Sequence, residues 1–245
     1  VFVAGDTHGN AKFLCGHLFP EAARLRAEVI VQVGDFGYWE HEPAGVRFLD
    51  QVQDTAEAYG IPLYWLAGNH DKWSVAVARY GKHRTADGLI PCRPLVLFMP
   101  HGHLWSWAGC TLRAFGGAYS IDKAWRLQIE AKREARAVER NVHREQAGAS
   151  MHPLPQTAGS LWFPEEEMSD EDMSVLLAAD SSSLDVVFSH DKPRAASPGI
   201  ALSDGPEFRA NQLRLQRALV AHRPALWIHG HLHHRYTDTV VVDPQ

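Results

Sequence analysis

Five short apolar runs in this chain each end in a cluster of polar residues, and this repeated pattern limits the possible folds more than any other feature. The clusters occupy residues 6–10 (DTHGN), 34–38 (GDFGY), 68–71 (GNHD), 187–190 (VFSH) and 230–233 (GHLH). The runs before them are rich in β-branched and aromatic residues, which is typical of buried strands. Because strand ends meet along one edge of an α/β sheet, we expect these distant clusters to converge.

The rest of the chain alternates predicted strands with predicted helices. Strands are predicted at residues 1–4, 29–33, 63–66, 95–99, 104–107, 111–115, 185–188, 225–228 and 236–242. Helices are predicted at residues 12–26, 45–59 and 208–222, and from a capping box of Ser169 and Asp172 as far as residue 179. The strands at 95–99, 104–107 and 111–115 are close enough in sequence to pair as neighbours. This order predicts one α/β domain over residues 1–245, with two packed sheets and helices outside.

One segment, at about residues 120–165, departs from this alternation. Residues 123–146 are charged all round a helix, and residues 151–159 are rich in Pro, Ser and Gly. A solvated surface helix followed by a loop would explain the composition. The sharper hypothesis is an insertion that folds over a site as a mobile cover.

Composition and charge narrow the class of protein. Of the 245 residues, 45% are hydrophobic and 22% charged, and the net charge is −5, which argues against a general nucleic-acid binder. No apolar run has the length of a membrane span, and residues 1–4 lack the basic region and cleavage site of a signal peptide. The three cysteines have no paired spacing and favour free thiols, so we expect a cytoplasmic protein.

The polar clusters together supply a mixed set of oxygen and nitrogen donors. Two carboxylates, one amide and four histidines are available: Asp6, Asp35, Asn69, His8, His190, His231 and His233. A set without thiolates suits Mn²⁺, Fe or Zn²⁺. We expect two divalent ions. Manganese is the favoured metal, and iron, zinc and nickel are the alternatives. Two ions about 3.5–4 Å apart share a bridging carboxylate and deprotonate a shared water near neutral pH.

The motifs D-x-H, G-D, G-N-H-D, H and G-H-x-H follow one another from Asp6 to His233. This series resembles the calcineurin-like metallophosphoesterase family over nearly the whole chain. The resemblance implies a four-layer αββα sandwich of two mixed sheets, with the site at the top of the sandwich. It also implies phosphoester hydrolysis at a dinuclear metal centre that activates a bridging water. A looser likeness, over residues 115–123, Arg126 and residues 161–165, is to small bacterial and phage phosphoesterases.

The resemblance implies a role for each motif residue. The first metal would be held by Asp6, His8 and His233, the second by Asn69, His190 and His231, and both would be bridged by Asp35. His70 would not be a ligand. It would assist the leaving-group oxygen as an acid or charge stabiliser, oriented by Asp71.

The chain departs from the protein Ser/Thr phosphatases of this family at two motifs. Those enzymes carry G-D-x-x-D-R-G and G-N-H-E, whereas this chain has Tyr38-Trp39-Glu40 at the first and Asp71 at the second. The departures favour the phosphodiesterase-like branch. Tyr38 also occurs in the G-D-x-x-Y motif of purple acid phosphatases, where the tyrosine binds ferric iron. Those enzymes have glycine where this chain has His8, so packing or a hydrogen bond is the favoured interpretation of Tyr38.

Four residues near the motifs are candidate substrate contacts: Tyr38, Tyr119, Lys123 and Arg126. A guanidinium fork matches phosphate geometry, and an aromatic ring can stack on a base, whereas solvated charges and core rings are the plain alternatives. The predicted function is a phosphodiesterase acting on small phosphoesters such as cyclic nucleotides. Alternatives are a DNA or RNA nuclease of the same superfamily, a broad-specificity phosphatase, and a scaffold without catalysis. The sequence leaves the oligomeric state open, a dimer included.

Overall fold

Two mixed β-sheets lie at the centre of the chain in the computed structural model, which describes residues 1–154, 159–177, 184–200 and 205–242. The strands are β1 (Phe2–Ala4), β2 (Ile30–Val33), β3 (Leu63–Leu66), β4 (Ile90–Arg93), β5 (Val96–Phe98), β6 (Leu104–Trp107), β7 (Cys110–Phe115), β8 (Val186–Ser189) and β9 (Leu226–His229). The first sheet has the order β1-β2-β3-β5-β4, with only β4 antiparallel to its neighbour. The second has the order β6-β7-β8-β9, with β6 antiparallel to β7 and the others parallel.

Helices cover the outer faces of both sheets. They are α1 (Ala11–Phe13), α2 (Phe19–Arg24), α3 (Pro43–Tyr59), α4 (Trp73–Tyr80), α5 (Lys123–Gln146), α6 (Asp170–Leu177) and α7 (Pro206–His222), with a π-helical turn at Leu14–Leu18 between α1 and α2. Among the described residues, no helix combines the length and the apolar character that crossing a bilayer requires.

Strand β3 is apolar on both faces, and both of its faces are covered. In β3, Leu63 and Trp65 pack under the helices with Phe48 of α3, while Leu66 points into the space between the sheets. There it meets Phe188 of β8 from the second sheet. On the far side of that sheet, a third apolar cluster joins it to α6 and α7. A strand that is buried on both faces has a continuous apolar run in its sequence. The sheets and helices form the predicted four-layer αββα architecture, which is thereby confirmed.

The structure corrects three details of the predicted elements. Residues 236–242 form no strand; instead Tyr236 bonds to Nε2 of His229 at 2.6 Å and Asp238 accepts from the backbone N–H of Ser197. The sequence pattern of these residues is that of a strand, but no neighbouring strand pairs with them in the described structure. The strand at 95–99 lies in the first sheet and not beside β6, and α4 and β4 were not predicted. Residues 178–179 of the helix after Ser169 lie outside the described residues.

The segment at residues 120–165 is anchored at its two ends. Arg126 and Glu130, one turn apart on α5, are buried, and one carboxylate oxygen of Glu130 accepts hydrogen bonds from the backbone N–H groups of Leu161 and Trp162 at 2.6 and 3.2 Å. The far half of α5 is mostly exposed, apart from Ala137. The beginning of α5 is therefore part of the packed structure, and a cover role of the segment stays a prediction.

Gly68, between β3 and Asn69, lies against the loop that follows β2. A Cβ atom at this position would come within 2.1–2.2 Å of the carboxylate oxygen and backbone nitrogen of Asp35. We therefore expect Gly68→Ala to lower the free energy of unfolding by roughly 1–3 kcal/mol, because one of the two loops must move. Denaturant unfolding measures this change. Gly16→Ala is the control, since no atom lies within 4 Å of its Cβ position; equal stability of the two variants would contradict the prediction.

Candidate metal centre

The polar clusters lie at the carboxyl ends of strands from both sheets, where the predicted convergence is observed. Asp6, Asp35 and Asn69 follow the parallel strands β1, β2 and β3. His190 follows β8, and the cluster at 230–233 follows β9, its parallel neighbour. Parallel strands bring their carboxyl ends to one edge, so residues more than 200 positions apart in sequence become neighbours.

A first group of donors consists of Asp6, His8 and His233. The Nε2 atoms of His8 and His233 are 3.0 Å apart, and Nε2 of His233 is 3.5 Å from Oδ1 of Asp6. The three ligand atoms all lie within 4.8 Å of one another. Two imidazole nitrogens and a carboxylate directed at one point form a donor set that fits a divalent ion.

A second group consists of Asp35, His190 and His231, with Asn69 beside them. Nδ1–H of His190 donates to the carbonyl of Val33 at 2.9 Å, and a carbonyl can only accept. Its Nε2 faces Oδ1 of Asp35 at 3.4 Å and Oδ1 of Asn69 at 2.9 Å. A histidine whose Nδ1 is held by a carbonyl and whose Nε2 faces oxygen donors has the arrangement of a metal ligand.

Asp35 lies between the two groups. Its Oδ1 is 3.4 Å from Nε2 of His190 in the second group, and its Oδ2 is 3.7 Å from Nε2 of His8 in the first. One carboxylate can therefore reach an ion in either group. This is the position that a bridging ligand requires.

Five donors of the two groups have strained backbone conformations. Among the described residues, eight other than glycine have positive φ, and five of these are Asp6, His8, Asp35, His231 and His233, at 46–70°. A left-handed conformation costs a residue with a Cβ atom about 1–3 kcal/mol and clusters at functional sites. Asp6 and His8 thus present two side chains of one tight loop to the same group, whereas His231 and His233 of another loop belong to different groups.

The electrostatics of the second group favour a cation. Burial opposes ionisation of Asp35, but the charge and hydrogen bond of His190, with His70 and His8, outweigh it and hold the pKa of the carboxyl far below its usual range. Burial alone would lower the pKa of His190, but Asp35 raises it to about 9. The negative charge of Asp35 that raises this pKa would also favour a divalent ion in the same place.

The centre is closed on one side and open on the other. The side chains of His190 and Asp35 are 0% and 3% exposed, whereas those of His8 and His233 are 33% and 61% exposed. The ring of His70 lies on the open side, with its centroid 5.4 Å from that of His8. Burial lowers the pKa of His70, against the opposing charge of Asp35. The centre is therefore accessible from the side of His8, His233 and His70.

Asp71 does not have the predicted role of orienting His70. Its buried carboxylate accepts four backbone N–H bonds at 2.7–3.0 Å, from Phe36, Gly37, Tyr38 and Gly68. Both oxygens are thereby occupied by the loops after β2 and β3. Asp71 instead fixes the loop that carries Asp35, while the carbonyl of His70 accepts from Nε1 of Trp39 at 2.6 Å.

The predicted substrate contact is wrong for two of the four candidate residues, because their side chains are buried. Tyr38 is fully buried, stacks on Trp65 at 4.9 Å and donates its hydroxyl proton to Glu40 at 2.7 Å. Arg126 is 6% exposed and forms a two-pronged ion pair with Glu166 at 2.8 and 2.9 Å. Neither side chain has surface left for a substrate.

The other two candidates are partly exposed. Tyr119 packs on Phe208 with ring centroids 4.7 Å apart. Nζ of Lys123 contacts Glu167 at 2.7 Å and lies 4.2 Å from the centroid of Trp162. Both therefore already have protein partners, and their contact with a substrate stays a prediction.

Sequence reasoning missed two residues that touch the centre. Trp39 lies beside Gly9 and holds the carbonyl of His70. Ser120 accepts a hydrogen bond from the amide of Asn69 at 2.8 Å. The only sequence signal for Ser120 was its place in residues 115–123, the part with the looser likeness to small phosphoesterases.

The family comparison agrees with this geometry. The family model described as calcineurin-like phosphoesterase matches residues 1–235, which include every donor of both groups. The chain belongs to this family. A search among curated proteins finds no match. The calcineurin-like phosphoesterases hydrolyse phosphoesters with divalent metals, so this chain is a metal-dependent phosphoester hydrolase.

The position of Asp35 gives a test of the two-group arrangement. We expect Asp35→Ala to abolish hydrolysis and to remove both bound ions, or to leave one weakly held, because the carboxylate faces both groups. Metal analysis after dialysis measures the number of ions per chain. The matched control is Asp54→Ala on the exposed surface of α3. Two tightly held ions in Asp35→Ala would contradict a bridging role.

Proposed function

We propose that this calcineurin-like phosphoesterase is a phosphodiesterase that acts on small phosphoesters such as cyclic nucleotides, with two divalent ions, manganese first. The observation that carries the two-metal part of the proposal is the carboxylate of Asp35 between the two donor groups, 3.4 Å from His190 and 3.7 Å from His8. The phosphodiesterase part rests on the motif departures at residues 38–40 and at Asp71. Two bound ions supply a deprotonated water at neutral pH and neutralise charge on the phosphoryl oxygens.

The protein residues have separate tasks in this proposal. The ligands would be Asp6, His8 and His233 on the open side, and Asn69, His190 and His231 on the closed side, with Asp35 shared. The closed side excludes water and keeps its donors fixed, since His190 is fully buried. The open side receives the phosphoester, whose leaving group then lies near the imidazole of His70.

In this proposal His70 transfers a proton and does not bind a metal ion. Its backbone N–H donates to Oδ1 of Asp35 at 2.9 Å, and its carbonyl is held by Trp39. These two bonds fix the backbone and leave the ring nitrogens free to act on the leaving group. A fixed imidazole next to the reacting atoms is the usual form of a general acid.

The substrate class is tested with the purified chain after chelation and addition of Mn²⁺. Hydrolysis of bis-p-nitrophenyl phosphate and cyclic nucleotides faster than p-nitrophenyl phosphate supports a phosphodiesterase. Preference for the monoester would identify a broad-specificity phosphatase, and salt-sensitive cleavage of DNA or RNA would identify a nuclease.

The protein's compartment is part of the same proposal. Cys15, Cys92 and Cys110 are all free thiols. Burial raises the pKa of Cys92, which keeps this thiol protonated and unreactive. Free thiols are typical of a reducing compartment, which supports a cytoplasmic enzyme.

For His70→Ala we expect both ions to remain bound and turnover to fall by about 10²–10⁴-fold. An alkoxide leaving group needs a proton more than nitrophenolate does, so the loss should be larger for cyclic nucleotides than for nitrophenyl esters. Steady-state rates on both substrates, with metal analysis, measure this difference. His83→Ala on the exposed surface is the control. Equal losses on both substrates would disprove the acid role.

The exposed half of the 120–165 segment has a proposed role in substrate choice. Replacing residues 132–158 by a short Gly-Ser linker keeps Arg126 and Glu130, and Glu130 already contacts Leu161 on the returning chain. We expect unchanged metal content and a larger change in the ratio of rates between substrates than in the rate on the nitrophenyl diester. Equal loss on all substrates would show a structural role, and a change from dimer to monomer at constant selectivity would show an interface.

A further inference from the structure

A continuous chain of buried polar side chains connects Asn69 of the candidate metal centre to helix α5. Nδ2 of Asn69 donates to Oγ of Ser120 at 2.8 Å, and Oγ of Ser120 donates to Oε2 of Glu166 at 2.6 Å. Glu166 in turn forms the two-pronged ion pair with Arg126. None of these four side chains is more than 6% exposed.

The donors and acceptors of this chain can be arranged in only one direction. A guanidinium group only donates, so the Glu166 carboxylate accepts from Arg126, and it also accepts from the backbone of Phe163. The single hydroxyl proton of Ser120 is then committed to Glu166. Its oxygen has only lone pairs to offer to Asn69, which must present its NH₂ group to Ser120.

The consequence for Asn69 is a fixed orientation of its amide. With the NH₂ group held by Ser120, Oδ1 faces Nε2 of His190 at 2.9 Å, inside the second donor group. The reverse orientation would put two N–H donors where a cation must bind. An amide oxygen is a metal ligand, whereas an amide NH₂ group repels the ion.

We propose that Ser120, Glu166 and Arg126 are positioning residues that set the amide of Asn69 for the second metal ion. The proposal rests on the proposed two-metal function and adds to it a selective effect on one ion. The first group contains no asparagine and has no bond to Ser120, so its affinity is independent of this chain of side chains.

The decisive variant is Ser120→Ala, measured by Mn²⁺ titration calorimetry at pH 8. This pH lies above the pKa of Glu166, which burial raises to about 7 against the opposing effects of Ser120 and Arg126. We expect the first ion to bind as in the wild type and the second to bind about 10–100-fold more weakly, the usual effect of removing a partner of a metal ligand.

Ser74→Ala is the matched control. The Ser74 hydroxyl donates to Glu165, the residue next to Glu166, so its loss removes one serine hydrogen bond to the same segment without touching Asn69. An equal loss of the second ion in Ser74→Ala would overturn the proposal, and so would wild-type affinity in Ser120→Ala.

If Ser120→Ala does not fold, Glu166→Gln replaces it, because glutamine keeps the volume of glutamate but is a weaker hydrogen-bond acceptor. The same selective loss of the second ion is expected.

A double-variant cycle separates orientation from general structure. Asn69→Asp has two equivalent oxygens, so there is no amide to orient. In that background, removing the Ser120 hydroxyl should no longer weaken the second ion; a persistent 10–100-fold loss would overturn the orientation mechanism. Failure of the wild type to bind two ions would overturn the proposed function itself, which distinguishes the two failures.

Discussion

The carboxylate of Asp35 lies where two sets of donors meet, and much of the surrounding structure keeps it there. It is almost fully buried, faces His190 with one oxygen and His8 with the other, and accepts the backbone N–H of His70. A buried carboxylate stays ionised only with opposite charge beside it. The neighbouring imidazoles supply such charge when protonated, and a divalent ion in the same place would supply more.

Holding this carboxylate requires loops in conformations that most residues avoid. Asp6, His8 and Asp35 are left-handed, and so are His231 and His233 on the other sheet. The four N–H bonds to Asp71 stabilise the loops after β2 and β3 and offset part of that strain. The GNHD motif thus contributes in three ways: an amide oxygen beside the second donor group from Asn69, a ring beside the open side from His70, and loop support from Asp71.

Helix α5 gives the centre a second support, from outside the strand ends. Its first turn is held by Arg126, whose partner Glu166 contacts the serine beside Asn69. A segment that looks on composition like an independent cover is therefore continuous with the metal centre at one end. Beyond Glu130, the described residues of α5 are mostly exposed and have no hydrogen bond to this chain of side chains.

The sequence by itself determined the layers of the fold and the residues of both donor groups. Polar motifs directly follow apolar runs, and parallel strands bring the ends of such runs together, so their convergence could be predicted. The grouping of Asp6 with His233, from opposite ends of the chain, came from the resemblance to the family. Only the tertiary structure decided the roles of Tyr38, Asp71 and Arg126. Tyr38 bonds to Glu40, Asp71 accepts from loop N–H groups, and Arg126 pairs with Glu166. The physical reason is that a polar side chain has the same identity whether it faces a substrate or a buried partner. Its role depends on which neighbours the folded chain places around it.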